Sequence, residues 1–358
     1  MLVSDDILSL LEEKGAQMAK EAQRAVILQP GALGDCILTL PLVKLMQEAL
    51  GLGGVDIVGH AEYIGILPGR SCVSSIRSID STELHRLFTE SAKFDLADND
   101  PLIYVFSDYD WIVSFMGEPD GDFEQNLIFT TNCSHSAEIV TLSLKPPAQT
   151  KLHVAEYYTQ QLVQQSDLSA EQARVSPTDV LIQVTDSDRN QGLELLEQAG
   201  VDVSKRLVVL QPGSGGRHKC WHLDNFLSVA QAVRSDEVEP VFLLGPVELE
   251  RFERSQKTDL QATATCLTHL ALSQVVGLLS CADAFVGNDS GVTHLAGGMG
   301  LRTFALFGPT DPALYRPIGP ALNVLHDPTD RFAQAPCPDL QKTLLEHLSI
   351  AEERPSAS

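Results

Sequence analysis

The amino-acid sequence predicts two α/β domains in tandem, each built around a parallel β-sheet. The tetrapeptide Leu-Gln-Pro-Gly occurs twice, at 28–31 and 210–213, and each copy follows an apolar run and precedes a helix-like pattern. Strand-like and helix-like segments also alternate along the chain, which is typical of a parallel sheet with helices on both faces. A length of 358 residues is long enough for two domains. The matched context of the two tetrapeptides favours duplication of one strand–loop–helix unit.

Composition and charge exclude several classes of protein. Hydrophobic residues make up 44% of the chain, no run is apolar and long enough to span a membrane, and the first residues lack a secretory signal pattern. The seven cysteines include no Cys-x-x-Cys pair, which predicts reduced thiols in the cytosol and neither disulfides nor a zinc site. The net charge of −23 argues against nucleic acid as a partner and gives no attraction to an anionic membrane. We therefore expect a cytoplasmic protein with at most peripheral contact at the inner face of the membrane.

Much of the negative charge lies in one stretch, residues 95–124, which contains nine carboxylates and neither lysine nor arginine. A solvated rim is the simpler interpretation. A surface for a cation or a cationic substrate is the alternative.

The first 23 residues are predicted as a helical extension, with a helix over 5–23 and Ser4 as its N-cap. Its apolar face is suited to covering the first domain or a second subunit, and the sequence leaves both open. The first domain is predicted over 24–175, and residues 167–185 are polar and indicate the boundary region. Its predicted elements are a strand at 25–29, a helix at 36–49, a strand at 55–59, apolar runs at 102–106, 111–115, 126–130 and 138–144, and a helix at 154–166.

The second domain, over 176–335, repeats the alternation more clearly, and a C-terminal helix and tail follow over 336–358. Its predicted elements are helix 186–199, strand 207–211, helix 222–234, strand 240–244, helix 246–256, helix 271–281, strand 284–287, helix 291–299 and strand 302–307. The C-terminal helix is predicted at 338–349.

The segment Asp289, Ser290 and Gly291 follows a buried strand and starts a helix, which predicts an anion site. Free N–H groups and the helix dipole favour a phosphate at such a position, and a glycine lets it approach the backbone. Asp289 itself cannot bind a phosphate; capping the helix or holding a sugar hydroxyl are its two interpretations. A plain N-cap with His294 as an ordinary helix histidine is the alternative for the whole segment.

The loop after strand 207–211 contains Gly213, Ser214 and Gly215 and then the cations Arg217 and Lys219. Glycines followed by a lysine suit a diphosphate leaving group. The loop matches neither the P-loop nor the dinucleotide fingerprint. Two anion-ready loops at one sheet edge predict a site for a nucleotide diphosphate.

Acidic residues complete the candidate set in both domains. Glu248 or Glu250, after strand 240–244, could bind ribose hydroxyls, and a solvated helix charge is the equal alternative for each. In the first domain Gly31 and Gly34 flank the turn before Asp35, near the start of helix 36–49. Asp35 is either a helix-start acid or a general base facing the second domain.

These segments together resemble glycosyltransferase family 9, the family of the ADP-heptose:lipopolysaccharide heptosyltransferases. The resemblance covers about residues 24 to 350, and its most specific part is Asp-Ser-Gly-x-x-His-Leu followed by Phe-Gly-Pro-Thr-Asp-Pro. The residues that carry it are Gly34-Asp35 with Leu40-Pro41, Lys219-Cys220-Trp221, Asn288 through Ala296, and Gly308 through Pro312.

The resemblance implies a GT-B fold with two Rossmann-like domains facing a central cleft, the first binding a glycan or glycolipid acceptor and the second a nucleotide sugar. It implies inverting transfer without a metal or further cofactor, from an ADP-linked donor, with heptose as the candidate sugar. Asp35 matches the family's catalytic base, and Lys219 the residue that binds the leaving diphosphate. Residues matching donor-binding positions are Ser214, Gly215, Asp289, Ser290, Gly291 and His294. A non-catalytic nucleotide-sugar-binding or assembly protein of the same fold, and a sugar-nucleotide epimerase or hydrolase, are the alternatives.

Overall fold

The computed structural model describes residues 23–169, 171–329 and 331–349. Residues 23–169 contain a five-stranded sheet whose strands are all parallel, in the order β3-β2-β1-β4-β5. The strands are β1 (Arg24–Gln29), β2 (Gly54–Gly59), β3 (Ile76–Ser78), β4 (Trp111–Ser114) and β5 (Glu138–Thr141). The helices are α1 (Leu33–Leu50), α2 (Ala61–Ile64), α3 (Pro101–Phe106), α4 (Asp122–Asn132) and α5 (Val154–Gln164). Short 3-10 turns lie at Ile79–Ser81, Leu84–Phe88 and Ser91–Lys93.

The described residues after 170 contain a second, six-stranded parallel sheet, in the order β11-β10-β9-β6-β7-β8. The strands are β6 (Arg206–Gln211), β7 (Val238–Leu244), β8 (Thr265–Thr268), β9 (Ala284–Asn288), β10 (Thr303–Phe307) and β11 (Leu322–His326). The helices up to the end of β9 are α6 (Asp186–Gln198), α7 (Leu223–Val233), α8 (Pro246–Arg251), α9 (Arg254–Thr263) and α10 (Leu272–Ser280), with a 3-10 turn at Arg217–Lys219. The later helices are α11 (Gly291–Gly298), α12 (Pro312–Tyr315), α13 (Arg331–Gln334) and α14 (Pro338–Ser349).

Two features of the predicted pattern are wrong. The helix predicted at 246–256 is two helices, α8 and α9, because Phe252 and Glu253 take an extended backbone between them. Phe252 packs there against the core of the second domain. The edge strands β3, β8 and β11 were not predicted, since each is short and most of their residues are not fully buried. The predicted helix at 5–23 lies almost wholly outside the described residues.

α1 is longer than predicted and positions Asp35 in its first turn. The helix runs through Pro41, which lacks the N–H for one intrahelical hydrogen bond. It is nevertheless retained, because α1 is buried over most of its length in an apolar cluster that includes Ile37, Leu40 and Val43. Burial of this kind outweighs one missing hydrogen bond.

The two domains share one apolar core. The cluster around α1 continues through Leu181 and Ile182, in the connection between the domains, to Leu295 in α11 of the second domain. Each sheet also has a separate cluster on its other face. The backbone N–H groups of Leu181 and Ile182 both donate to the carbonyl of Gly298, which attaches the connection to α11.

Polar contacts also join the domains. Arg70, after α2, donates from Nε and Nη2 to the two carboxylate oxygens of Asp188 in α6, at 2.9 and 2.6 Å. Asp188 is 1% exposed and also accepts bonds from the backbone N–H and the hydroxyl of Thr185. Burial alone raises the pKa of Asp188, but the bonds from Arg70 and Thr185 outweigh it and lower the pKa to about 2. A second pair, Lys44 with Asp179 at 3.1 Å, is much more exposed.

Within the described residues, no helix has both the length and the apolar character needed to cross a membrane. The acidic stretch at 95–124 supplies local contacts: Asp100 pairs with Arg86, Asp110 accepts from the backbone of Arg24, and Asp122 accepts from Ser91. Six of the nine carboxylates are exposed, as a solvated rim requires, whereas Asp100 is buried.

Candidate functional site

The candidate residues of the second domain gather at the carboxyl ends of β6, β7 and β9. These strands are parallel, so their following loops meet at one edge of the sheet, which is where ligands bind in open α/β sheets. A cavity of about 350 Å³ opens at this edge. Its lining includes Gly213, Ser214, Arg217, Glu248 and Arg251.

Gly213 and Glu248 fit together at the wall of the cavity. A Cβ on Gly213 would lie 1.8 Å from Glu248 Oε1, so only glycine leaves room for this carboxylate. Glu248 is 3% exposed, and its Oε2 accepts a hydrogen bond from Gly245 N at 2.9 Å. Burial raises the pKa of Glu248 above its ordinary value, although the hydrogen bonds to the carboxylate oppose the shift. The structure thus contradicts the solvated alternative for Glu248, whereas Glu250 is exposed.

The glycine loop is held over the cavity by three side chains. Arg251 donates to the carbonyls of Ser214 and Gly215 at 3.0 and 2.7 Å. The hydroxyl of Ser214 donates to the carbonyl of Asp289 at 2.5 Å. The side chain of Asn288, which is fully buried, donates to the carbonyl of Pro212 and accepts from the backbone N–H of Trp221. A Cβ on Gly215 would meet nothing within 4 Å, so this position faces open space.

Lys219, Asp289 and His294 form a charged group beside the loop. Lys219 Nζ donates to Asp289 Oδ2 at 2.7 Å, and His294 Nε2 lies 3.9 Å from Asp289 Oδ1. Burial of Asp289 acts to raise its pKa, but His294 and Lys219 outweigh that effect and lower the pKa to about 2. The ammonium group of Lys219, which is predicted to bind phosphate, therefore already has a carboxylate partner. A diphosphate would compete with Asp289 for this ammonium group.

The N-terminus of α11 is capped by Ser290, which corrects the expectation that Asp289 might cap it. Ser290 Oγ accepts a hydrogen bond from Thr293 N at 3.3 Å. Gly291 begins the helix, and a Cβ there would lie 2.9 Å from Leu33 Cβ of the first domain. The glycine therefore permits a close approach between α11 and α1.

Asp35 stands at the first-domain side of this approach. Its Oδ2 accepts a hydrogen bond from Ala32 N at 3.0 Å, so it is also a helix-start acid, as the simpler interpretation predicted. A Cβ on Gly31 would lie 2.7 Å from Asp35 Oδ2, and one on Gly34 would lie 3.0 Å from His294 Cδ2. Asp35 is half-buried, and its turn contacts the end of α11 that carries His294.

The structure brings the turn of Gly34 and Asp35 against Gly291 and His294, where α1 and α11 contact each other. The other predicted residues of the second domain follow the ends of β6, β7 and β9. Their roles stay predictions. Sequence reasoning missed Arg251 and the side chain of Gln211, and it marked Asn288 only as part of the family motif. The repeated tetrapeptide marked Gln211, but no pattern indicated that its amide bonds to site residues.

Among the described residues, no three His, Cys, Asp or Glu side chains are grouped so as to hold a metal ion. The positive charge near the glycine loop comes instead from Lys219, Arg217 and Arg251. Of these, Arg217 is exposed at the rim of the cavity.

Two parallel-sheet α/β domains facing each other at their strand ends define a GT-B glycosyltransferase fold. Solved structures of that class superimpose on the chain at low sequence identity, which shows the fold alone. E. coli ADP-heptose lipopolysaccharide heptosyltransferase II aligns with a TM-score of 0.65 at 15% identity, covering 93% of this chain and 100% of that one. A glycosyl transferase family 9 protein from Veillonella parvula gives 0.64 at 17%, covering 93% and 90%. The expected GT-B fold is confirmed.

The family model of glycosyltransferase family 9 (heptosyltransferase) matches residues 136–343, more than half of the chain, and the chain belongs to this family. A curated relative, lipopolysaccharide heptosyltransferase 3 of E. coli, is 28% identical over 125 residues. That alignment covers 34% of this chain and 36% of the relative, about a third of its length. The resemblance inferred from the motifs is thereby confirmed.

Proposed function

We propose that the chain is an inverting glycosyltransferase that moves a sugar, heptose in the simplest case, from an ADP-linked donor to a hydroxyl of a glycan or lipopolysaccharide-core-type acceptor. The observation that carries the proposal is the meeting of α1 and α11. It brings the turn of Asp35 against His294, beside the ion pair of Lys219 and Asp289. Family membership and the heptosyltransferase relatives support the choice of sugar and donor.

The donor half is assigned to the cavity of the second domain. Glu248 is buried at its wall, and an ionised carboxylate there suits the paired hydroxyls of a ribose. The N-terminus of α11 and the glycine loop offer backbone N–H groups to a diphosphate. Arg217 and Lys219 add positive charge beside them.

The acceptor half is assigned to the first domain. The carboxylate of Asp35 takes the proton from the acceptor hydroxyl as the hydroxyl oxygen bonds to the anomeric carbon of the donor. The bond from that carbon to the diphosphate oxygen breaks at the same time, and the configuration inverts because attack comes from the opposite face. General-base assistance of this kind contributes about 10²- to 10⁴-fold to rate.

The leaving diphosphate gains negative charge as the bond breaks. Lys219 is paired with Asp289, so binding of the diphosphate exchanges one anionic partner for another or adds a second. Stabilisation of this charge by Lys219 and the helix terminus would proceed without a metal ion. We therefore expect transfer to be unchanged when EDTA replaces divalent cations.

The test of the donor half is calorimetric titration with ADP, UDP, GDP and ADP-heptose. We expect ADP and ADP-heptose to bind and Lys219→Met to weaken the binding about tenfold or more, which corresponds to about 1.4 kcal/mol. Lys151→Met is the matched control, because Lys151 is exposed and outside the cavity. Absence of binding by every nucleotide would contradict the donor assignment.

The test of the chemistry is a transfer assay with ADP-heptose and an acceptor panel that includes lipopolysaccharide-core oligosaccharides. Asp35→Asn should bind ADP as the wild type does and lose transfer by about 10²-fold or more. Asp98→Asn, an exposed carboxylate of the acidic stretch, is the control. Donor consumed without any acceptor product would favour a hydrolase or epimerase instead. Nucleotide binding without turnover of any kind would favour a non-catalytic binding protein.

A further inference from the structure

Gln211 connects two elements of the donor half that are far apart in sequence. Its side-chain Nε2 donates to Glu248 Oε1 at 3.2 Å, and its Oε1 accepts from the hydroxyl of Ser290 at 2.8 Å. Glu248 lies in the first turn of α8, and Ser290 is the N-cap of α11. One buried amide thus joins the cavity wall to the start of the helix that faces the diphosphate.

The chemistry of the two partners determines which way this amide points. A carboxylate only accepts hydrogen bonds, so it must face the NH₂ group, and the hydroxyl then donates to the amide oxygen. Gln211 is 7% exposed, and no water competes strongly at such a position. The amide is therefore fixed in one orientation by both ends at once.

The other copy of the tetrapeptide shows that this arrangement is not a general property of the motif. Gln29 is fully buried, but its amide bonds to Gly31 N and to Thr39, both within the same strand–loop–helix unit. Gln211 instead reaches across to two other strand ends. The duplicated residue has thus been connected to the ligand-facing elements in the second domain.

We propose that Gln211 is a positioning residue that holds the Glu248 carboxylate and the start of α11 in the geometry that binds the donor nucleotide. The inference rests on the proposed function, since it assigns the cavity to the donor. Gln211 contacts neither the reacting atoms nor, in this arrangement, the open part of the cavity. It acts through Glu248 and Ser290.

The hydrogen bond from Gln211 to Glu248 also links donor binding to pH. The titratable groups that interact with Glu248 include Arg251 on α8, whose charge lowers the pKa of Glu248, and Cys220 on the glycine loop. Arg217, His222 and Glu253 line the same cavity. Burial raises the pKa of Cys220, so its thiol stays protonated near neutrality. Burial also raises the pKa of Glu248, and the bond from Gln211 opposes that shift. Removing the bond therefore raises the pKa of Glu248 further.

The experiment is calorimetric titration with ADP between pH 5 and 9, with the wild type, Gln211→Met and the exchanged pair Gln211→Glu/Glu248→Gln. Gln211→Met keeps the length of the side chain and removes both hydrogen bonds. We expect it to bind ADP about tenfold more weakly. We also expect it to lose affinity on acidification at a higher pH than the wild type, because the pKa of Glu248 rises when the bond from Gln211 is removed. Free ADP titrates in the same way in every experiment, so a difference between two variants belongs to the protein or to its complex.

The exchanged pair separates positioning from simple structural support. It restores an amide–carboxylate bond at the same place but moves the carboxylate from α8 to β6. We expect its melting temperature to lie near that of the wild type and its ADP affinity to stay at least tenfold reduced. Gln191→Met, on the exposed face of α6, is the matched control and should bind ADP as the wild type does.

Each outcome distinguishes this inference from the proposed function. If the wild type binds no nucleotide, the proposed function fails together with its donor site. If the wild type binds ADP but Gln211→Met binds it equally well with the same pH dependence, the positioning role is overturned and the donor site stands. Recovery of full affinity by the exchanged pair would also overturn it, because the position of the carboxylate would then not matter.

Discussion

The bridge between Arg70 and Asp188 makes a prediction about how the two domains are held together. Asp188→Asn keeps the size of the side chain and removes the negative charge that Arg70 contacts at 2.9 and 2.6 Å. The side chain of Asp188 is 1% exposed, so water cannot take the place of the lost carboxylate charge beside Arg70. We expect the variant to unfold more readily than the wild type at neutral pH.

Two lines of reasoning set the size of the effect. The native interactions lower the pKa of Asp188 from 3.8 to about 2, and by linkage a shift of that size corresponds to about 2 kcal/mol of stability at neutral pH. Removal of one partner from a buried pair costs about 3–5 kcal/mol. Arg70 is 21% exposed and recovers part of its hydration, so we expect about 2–3 kcal/mol, or a fall of about 4–12 °C in melting temperature.

The assay is urea unfolding followed by circular dichroism at pH 7 and at pH 3, together with thermal melting. Because the pKa of Asp188 is lowered in the fold, its contribution is complete above the ordinary value of 3.8 and disappears as the pH falls towards 2. The difference in the free energy of unfolding between the variant and the wild type should therefore be smaller at pH 3 than at pH 7. Asp179→Asn is the matched control. It breaks the exposed contact with Lys44, also between the domains, and should cost less than about 1 kcal/mol.

The reasoning would be refuted by an Asp188→Asn protein that unfolds at the same urea concentration as the wild type at pH 7. It would equally be refuted if the control lost as much stability as the variant, since burial would then not decide the strength of the contact. If the difference in stability between the variant and the wild type stays the same on acidification, the charge of the Asp188 carboxylate is not the source of that difference.

Three further predictions concern the candidate site. Gly213→Ala should weaken ADP binding about tenfold or more, because the new Cβ would lie 1.8 Å from Glu248 Oε1 and would displace that side chain. In the same titration Gly215→Ala should change the affinity less than about twofold, since a Cβ there meets nothing within 4 Å. Asn288→Ala leaves buried backbone groups of the glycine loop without partners and should lower the free energy of unfolding by about 1–3 kcal/mol, measured by urea denaturation. The pKa of Asp289 is lowered to about 2, so its contribution to stability should persist down to its ordinary value of 3.8 and vanish towards pH 2. Thermal melts of Asp289→Asn and the wild type should therefore converge over that range, and a difference that persists at pH 2 would contradict the assignment.

The sequence allowed prediction of the central strands and the helices that follow them, because these carry continuous apolar runs ended by glycine or by a capping residue. The strand ending at Gln211 and the turn from Asp289 to Gly291 are of this kind. Edge strands were missed for the opposite reason. Ile76–Ser78 has only three residues and a half-exposed pattern, which no local signal distinguishes from a loop. The break at Phe252 was missed because only packing against the core explains it.

The site residues on loops were predictable from their types and spacing, but their partners were not. Lys219 was expected to supply positive charge for a diphosphate, but its pairing with Asp289 was not expected, because it depends on two loops separated by 70 residues. Glu248 and Glu250 looked equivalent in sequence, and only the helix direction buries the first and exposes the second. Contacts across the sheet edge are set by the tertiary fold, and no local pattern records them.

The close approach of α1 and α11 fixes the distance between the two domains at one point of the cleft. The two helices can approach this closely because Gly34 and Gly291 have no side chain. A Cβ on Gly34 would lie 3.0 Å from His294 Cδ2, and one on Gly291 would lie 2.9 Å from Leu33 Cβ. A swing of one sheet against the other about this contact would change the width of the far side of the cleft far more than the distance between α1 and α11. Asp35 is one residue from that point, so its distance from the second domain is the quantity that such a swing changes least.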